Sequence, residues 1–279
     1  MSLRLLFAGA LGLLLATTSC STGPTPPQPG TPAFYWGAAQ ETWRGGDILK
    51  TNDTLQEITQ SPNDFTERAR TWDIVISAGM AQSLSDVSDA YEAGARANRA
   101  NPTPFRKQVN TLRELASASN LQLAQAVHTF VAEQKTPDVA FAFEYPVGTA
   151  NPPPGLKKIY AGMILQDSEA DSLQTAMVER GVLLALCDFL GTPDDSAKAL
   201  EKFKAGAVKV PREVFLMAAA RALNAGASLY SPNKLDNPQR VRLLCEEALG
   251  AVHAIPETKE TKALADKIQA TLKKLVRTT

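Results

Sequence analysis

Apolar residues along this chain recur three and four positions apart, and the gaps between the stripes are filled with glycine, proline and asparagine. Trp36, Ala39 and Trp43 stand at i, i+3 and i+7; Phe65, Ala69, Trp72 and Ile76 at i, i+4, i+7 and i+11; Leu84, Val87 and Tyr91 at i, i+3 and i+7. Each set draws one greasy seam down a helix and leaves the other faces polar. Between the seams lie Gly45-Gly46-Asp47, Ser61-Pro62-Asn63-Asp64 and Asn101-Pro102-Thr103-Pro104. These residues break helices, and Asn63 or Asp64 can cap the one that follows. The chain is therefore expected to double back repeatedly. A further pair is expected at 105–118 and 120–135, with Leu123, Val127, Phe130 and Val131 as its buried stripe.

Residues 137–165 interrupt the rhythm. In DVAFAFEYPVG the large residues Val139, Phe141 and Phe143 alternate with alanine, and the rigid NPPPG leads into the apolar run KKIYAGMIL. Alternation predicts a strand, and the pair of runs is readable as a β-hairpin. Periodicity does not separate a strand from a short buried helix in the second run, so both stay open there. Helical spacing resumes after Asp167. Leu183, Leu186, Cys187 and Leu190 share one face; Leu216, Ala220, Leu223, Ala227 and Tyr230 a second; Val241, Leu244, Cys245, Ala248 and Val252 a third; Leu264, Ile268, Leu272 and Leu275 the last. Lysines opposite the leucines of that final helix suit the polar end of a stack.

The stretch AAQETWRGGDILKTNDTLQEITQSP, residues 38–62, resembles a tetratricopeptide repeat: small Ala39, aromatic Trp43, a glycine and aspartate at the turn, then Leu55, Ile58 and a closing Pro62. Small residues admit the neighbouring helix, glycine makes the turn and proline ends the second helix. Gly79 and DAYEAGARANRANP, residues 89–102, read as a longer variant of the same unit. The expected fold is therefore mostly all-α, with stacked antiparallel helix pairs in a tetratricopeptide-like α-solenoid and a small β-hairpin excursion at about 138–165. Helical repeats are expected at 34–136 and 166–279, separated by the irregular 137–165.

The amino terminus carries a different pattern. Arg4 precedes the apolar run Leu5 to Ala16, and the small residues Thr17, Thr18 and Ser19 lead to Cys20. This is the three-part layout of a secretory signal, residues 1–19, and its run is shorter than the roughly 20 residues a membrane span needs. The stretch resembles the lipobox of bacterial lipoproteins, with Thr17 where leucine is usual. That resemblance implies a diacylated Cys20 as the first mature residue. Residues 20–33 follow as a tether, because the prolines of STGPTPPQPGTPA withhold amide donors and resist helix formation. Ser21 after the cysteine implies, by the same resemblance, the periplasmic face of the outer membrane. The alternative is a soluble periplasmic or secreted protein.

Composition narrows the chemistry. Lys+Arg and Asp+Glu are equal at 29 each and aromatics are 6%, so neither a long-range field nor a stacking platform for nucleic acid is encoded. Three cysteines and two histidines show no zinc-ligand spacing, and no phosphate loop or nucleophile elbow occurs. No catalytic residue, metal or cofactor is expected. With Cys20 acylated, Cys187 and Cys245 remain as an even pair that an oxidising compartment would join if the helices bring them together. His128 and His253 are candidate bases if paired with Glu133 or Glu246, although either also suits a structural role. Asp194 and Asp195 are read as helix-capping acids rather than paired carboxylates. Arg96, Arg99, Arg106, Lys107 and Arg113 form the densest positive segment, suited to an acidic peptide or a lipid headgroup, or to a solvated helix face. The leading expectation is a lipid-anchored, non-enzymatic scaffold for a protein or peptide partner. A small-molecule or lipid-binding accessory of an envelope transport system is the alternative, with a hydrolase third.

Overall fold

The computed structural model describes residues 26–144, 149–205 and 208–276; the leader and Cys20 lie outside them. Helix α1 (Pro32–Arg44) begins inside the segment read as tether. Proline is admitted at the first turn, where no intrahelical donor is needed, and Thr31 accepts from the Phe34 amide at 3.3 Å. Gly45-Gly46-Asp47 makes the expected turn, and Asp47 caps α2 (Ile48–Thr59) through the Lys50 amide at 3.1 Å. Trp36, Ala39 and Trp43 are all buried, as their spacing requires.

Two long helices form the spine. Helix α3 (Thr66–Ala97) runs 32 residues and α4 (Thr103–Glu133) runs 31, packed back along one another through the Asn-Pro-Thr-Pro turn. The turn expected at Gly79 is absent. Gly79 lies in mid-helix because α6 (Asp167–Phe189) crosses α3 there. A β-carbon on Gly79 would stand 2.5 Å from the Val182 α-carbon, and one on Gly181 would stand 2.4 Å from the Gly79 carbonyl oxygen. The glycine thus serves backbone-to-backbone contact. The pair expected at 105–118 and 120–135 is likewise one helix and not two, ending at Glu133, since nothing between Ala118 and Leu121 interrupts the ladder.

The strand expected in DVAF is present, but its partner is remote. Strand β1 (Asp138–Phe141) pairs antiparallel with β2 (Val208–Pro211), Val139 opposite Val210, while the run after NPPPG forms the short helix α5 (Gly155–Tyr160). No hairpin forms among the described residues. Val139, Phe141 and Phe143 are drawn instead into an aromatic cluster in which Phe143 stacks on Trp72 at 4.9 Å and meets Trp36 at 5.0 Å. The Trp43 indole donates to the Glu144 carbonyl at 2.7 Å, which fixes the segment. Burying these rings outweighs any local preference of the segment for pairing with itself.

The second half continues with α7 (Ser196–Lys204), α8 (Arg212–Gly226), a 3₁₀ turn at Ala227–Tyr230, α9 (Pro238–His253) and α10 (Lys259–Val276). The chain is a mostly all-α protein of stacked antiparallel helix pairs with one two-stranded sheet. Cys187 on α6 and Cys245 on α9 are fully buried free thiols, not a disulfide. Helix α8 packs against both of their helices, so each cysteine serves as a small apolar side chain in the core. No helix among the described residues is long and apolar enough to cross a membrane.

Candidate functional site

The α3–α4 connection gathers most of the positive segment into one cleft. On α3, Glu92, Ala95 and Arg96 stand at i, i+3 and i+4, with Arg99 in the turn just past its end; on α4, Arg106, Val109, Asn110 and Arg113 stand at i, i+3, i+4 and i+7. Two seams of the same period on helices joined by a short turn face one another. They line, with Pro102, a cleft of about 650 Å3. Lys107 sits beside the seam and does not line it, so four of the five expected cations converge.

Glu92 ties the two walls together. Its carboxylate accepts from Arg113 on α4 at 2.5 Å and from Arg96 one turn along α3 at 3.1 Å. These contacts orient the guanidiniums without neutralising the cleft, whose lining holds four arginines against one glutamate. Arg113 is the inner member. Its side chain is only 10% exposed, and its buried Nε has no hydrogen-bond partner. A buried, unpaired donor on a cation is costly, on the order of 1–3 kcal/mol. Arg99 and Arg106 stand exposed at the opening. The planar fork of each guanidinium suits a carboxylate or phosphate, with two parallel hydrogen bonds per group.

The remaining candidates are dispersed. His128 meets Glu247 of α9 at 3.1 Å, not Glu133, which instead pairs with Arg70 at 2.8 Å. His253 is exposed at the end of α9. Asp195 caps α7 by accepting from the Lys198 amide at 2.9 Å, and Asp194 precedes it with a φ of 58°. Among the described residues no three His, Cys, Asp or Glu side chains stand close enough to hold a metal ion.

One internal polar cluster was not anticipated from the sequence. Asp73 of α3 meets α4, accepting from Gln122 at 2.5 Å, and accepts from Ser77 on its own helix at 3.3 Å, while Gln122 also exchanges hydrogen bonds with Asn52 at 3.1 Å. Burial pushes the Asp73 carboxyl up to about 6, against the opposing hydrogen bonds from Gln122 and Ser77 and the nearby charge of Arg70. The signal in the sequence was an aspartate inside the apolar run TWDIVI. Comparison with known protein families, curated proteins and solved structures gives no match to this chain.

Proposed function

We propose that this protein is a lipid-anchored scaffold of the bacterial cell envelope that holds an acidic segment of a partner protein in the α3–α4 arginine cleft. The observation carrying this reading is Arg113, a buried guanidinium with an unpaired Nε set behind three further arginines in a cleft of about 650 Å3. Carboxylates of the partner would pair first with Arg99 and Arg106 at the mouth, and one would reach the inner guanidinium. Long helices packed along their length hold the two walls at a fixed separation, so binding orders few protein groups. The reading needs no catalysis. Residues 1–20 support the anchor by their resemblance to a lipoprotein leader, and the proline-rich stretch after Cys20 would set the folded part off the bilayer.

The cleft is tested by fluorescence anisotropy with a labelled Asp/Glu-rich dodecapeptide and a Lys-rich control. The acidic peptide binds with an affinity that falls steeply with salt, and Arg99→Glu combined with Arg106→Glu weakens it at least tenfold without changing the far-UV circular dichroism. Equal binding by the double variant would remove the cleft from the mechanism. Cys20→Ala tests the anchor separately. It moves the protein from the membrane fraction to the soluble fraction and removes the mass of the lipid; unchanged retention and unchanged mass refute lipidation.

A further inference from the structure

Glu92 already does inside the cleft what a partner's carboxylate is expected to do there. Its Oε2 accepts from Arg113 Nη2 on α4 at 2.5 Å and its Oε1 from Arg96 Nη1 on α3 at 3.1 Å, so one carboxylate bridges both walls. Two guanidiniums turned toward a single carboxylate are arranged as they would be around a bound acidic side chain. Of the four arginines lining the cleft, Arg99 and Arg106 are the two that this bridge leaves untouched, and both are exposed.

The bridge is unequal at its ends. The Arg96 side chain is 69% exposed, and an ion pair four residues apart on a wet helix surface contributes little. The Arg113 side chain is 10% exposed, so its pairing matters more, because a nearly enclosed cation that loses its partner is costly. Glu92 itself is 38% exposed, which lets its carboxylate turn outward and be hydrated while the Arg113 guanidinium stays behind. Exchange therefore favours a second carboxylate over water. An entering carboxylate needs no access beyond the place that Glu92 leaves, and it restores both contacts.

A lone acid competes poorly for that place. Glu92 is held beside the arginines by its own helix, whereas a dissolved carboxylate must give up its freedom of movement to reach them. A segment already paired with Arg99 and Arg106 has lost that freedom beforehand, and its next carboxylate meets Glu92 on nearly equal terms.

We propose that Glu92 is a built-in competitor that sets the specificity of the cleft: a partner segment needs acids for both mouth arginines and a further one, close by, to evict Glu92. Such a role presupposes that the cleft holds an acidic segment, and it adds how many acids that segment must bring.

Anisotropy titrations of the full chain with the labelled acidic dodecapeptide compare Glu92→Gln with Glu114→Gln, each shown to be folded by far-UV circular dichroism. Glu114 follows Arg113 on α4 and is exposed, but does not line the cleft, so its loss changes the net charge equally without freeing an arginine of the bridge. Glu92→Gln tightens the peptide by about fivefold or more, and Glu114→Gln by less than about twofold. A peptide with a single aspartate binds Glu92→Gln at about 1 mM and leaves the unchanged chain free. Should Glu92→Gln not fold, the arginine Nε–Hε NMR signals of the unchanged chain carry the test: the dodecapeptide moves those of Arg96 and Arg113, and the single-aspartate peptide does not.

Dodecapeptide binding that Glu92→Gln leaves unchanged or weakens overturns the role of Glu92 and spares the cleft. Equal gains from the two variants do the same, as does a single-aspartate peptide that binds the unchanged chain as tightly as the dodecapeptide. Failure of the dodecapeptide to bind the unchanged chain and both variants removes the cleft itself, and the competitor with it.

Discussion

Asp73 shows how much one side chain can hold in reserve. It is buried with Gln122, Ser77 and Asn52 around it, and its carboxyl is raised from 3.8 to about 6. Between those values the folded state keeps a proton that the unfolded state has released. Stability therefore falls as pH climbs through this window and is flat above it. At about 1.36 kcal/mol per pKa unit the cost of the buried charge at neutral pH is on the order of 3 kcal/mol. Asp73→Asn keeps the shape, and the Gln122 amide can turn to suit it. Thermal melts at pH 7 should show the variant more stable by several degrees, and the decline between about pH 4 and pH 6 should flatten. A variant melting below the parent at pH 7 would show that the carboxylate is held favourably. The same residue was visible in the sequence only as an acid in an apolar run, because solvation is decided by which helix lies opposite. The two cysteines teach a similar lesson. Their stripes foretold burial, and both thiols are pushed up to about 11, chiefly by burial, but only the placement of α8 between their helices decided that they stay apart.

At the scale of elements, helical spacing located the stripes correctly but misplaced two breaks. The resemblance to a tetratricopeptide repeat makes Gly79 a turn glycine, and glycine disfavours helix interiors by roughly 1 kcal/mol relative to alanine. Its actual use is the crossing of α3 and α6, where the backbones touch and packing offsets that intrinsic preference. Gly79→Ala should therefore lower the melting temperature, although alanine is the better helix former. The added methyl overlaps the Val182 backbone at 2.5 Å, and overpacking of this kind costs about 1–3 kcal/mol, which corresponds to a drop on the order of 5 °C. An unchanged or raised melting temperature would mean that the helices part without loss. The seams at 92–96 and 106–113 belong to this scale as well. Their spacing was legible in the sequence, and so was the positive charge, but Lys107 was separable from the others only by its angle around the α4 axis.

The whole molecule is knit by contacts between distant segments. Strand β1 reaches across to β2, Phe143 enters the tryptophan cluster, and one apolar core runs from Trp36 to Ile268. A stack held only by neighbouring pairs could lose its ends separately; a core crossed by such remote links should unfold as one. The three tryptophans, Trp36, Trp43 and Trp72, all report on the first helices, whereas far-UV circular dichroism reports on every helix. Urea transitions followed by the two signals are expected to coincide. A tryptophan transition well ahead of the loss of helix would show that the amino-terminal helices are a separate unit. Sequence alone determined the all-α class, the buried faces and the positive seams, because these follow from local periodicity and residue chemistry. Tertiary structure alone decided the partner of β1, the helical use of Gly79 and the free state of the cysteines. Each of those depends on what a distant segment brings to the same point in space, and the pattern of neighbours along a chain carries no record of that.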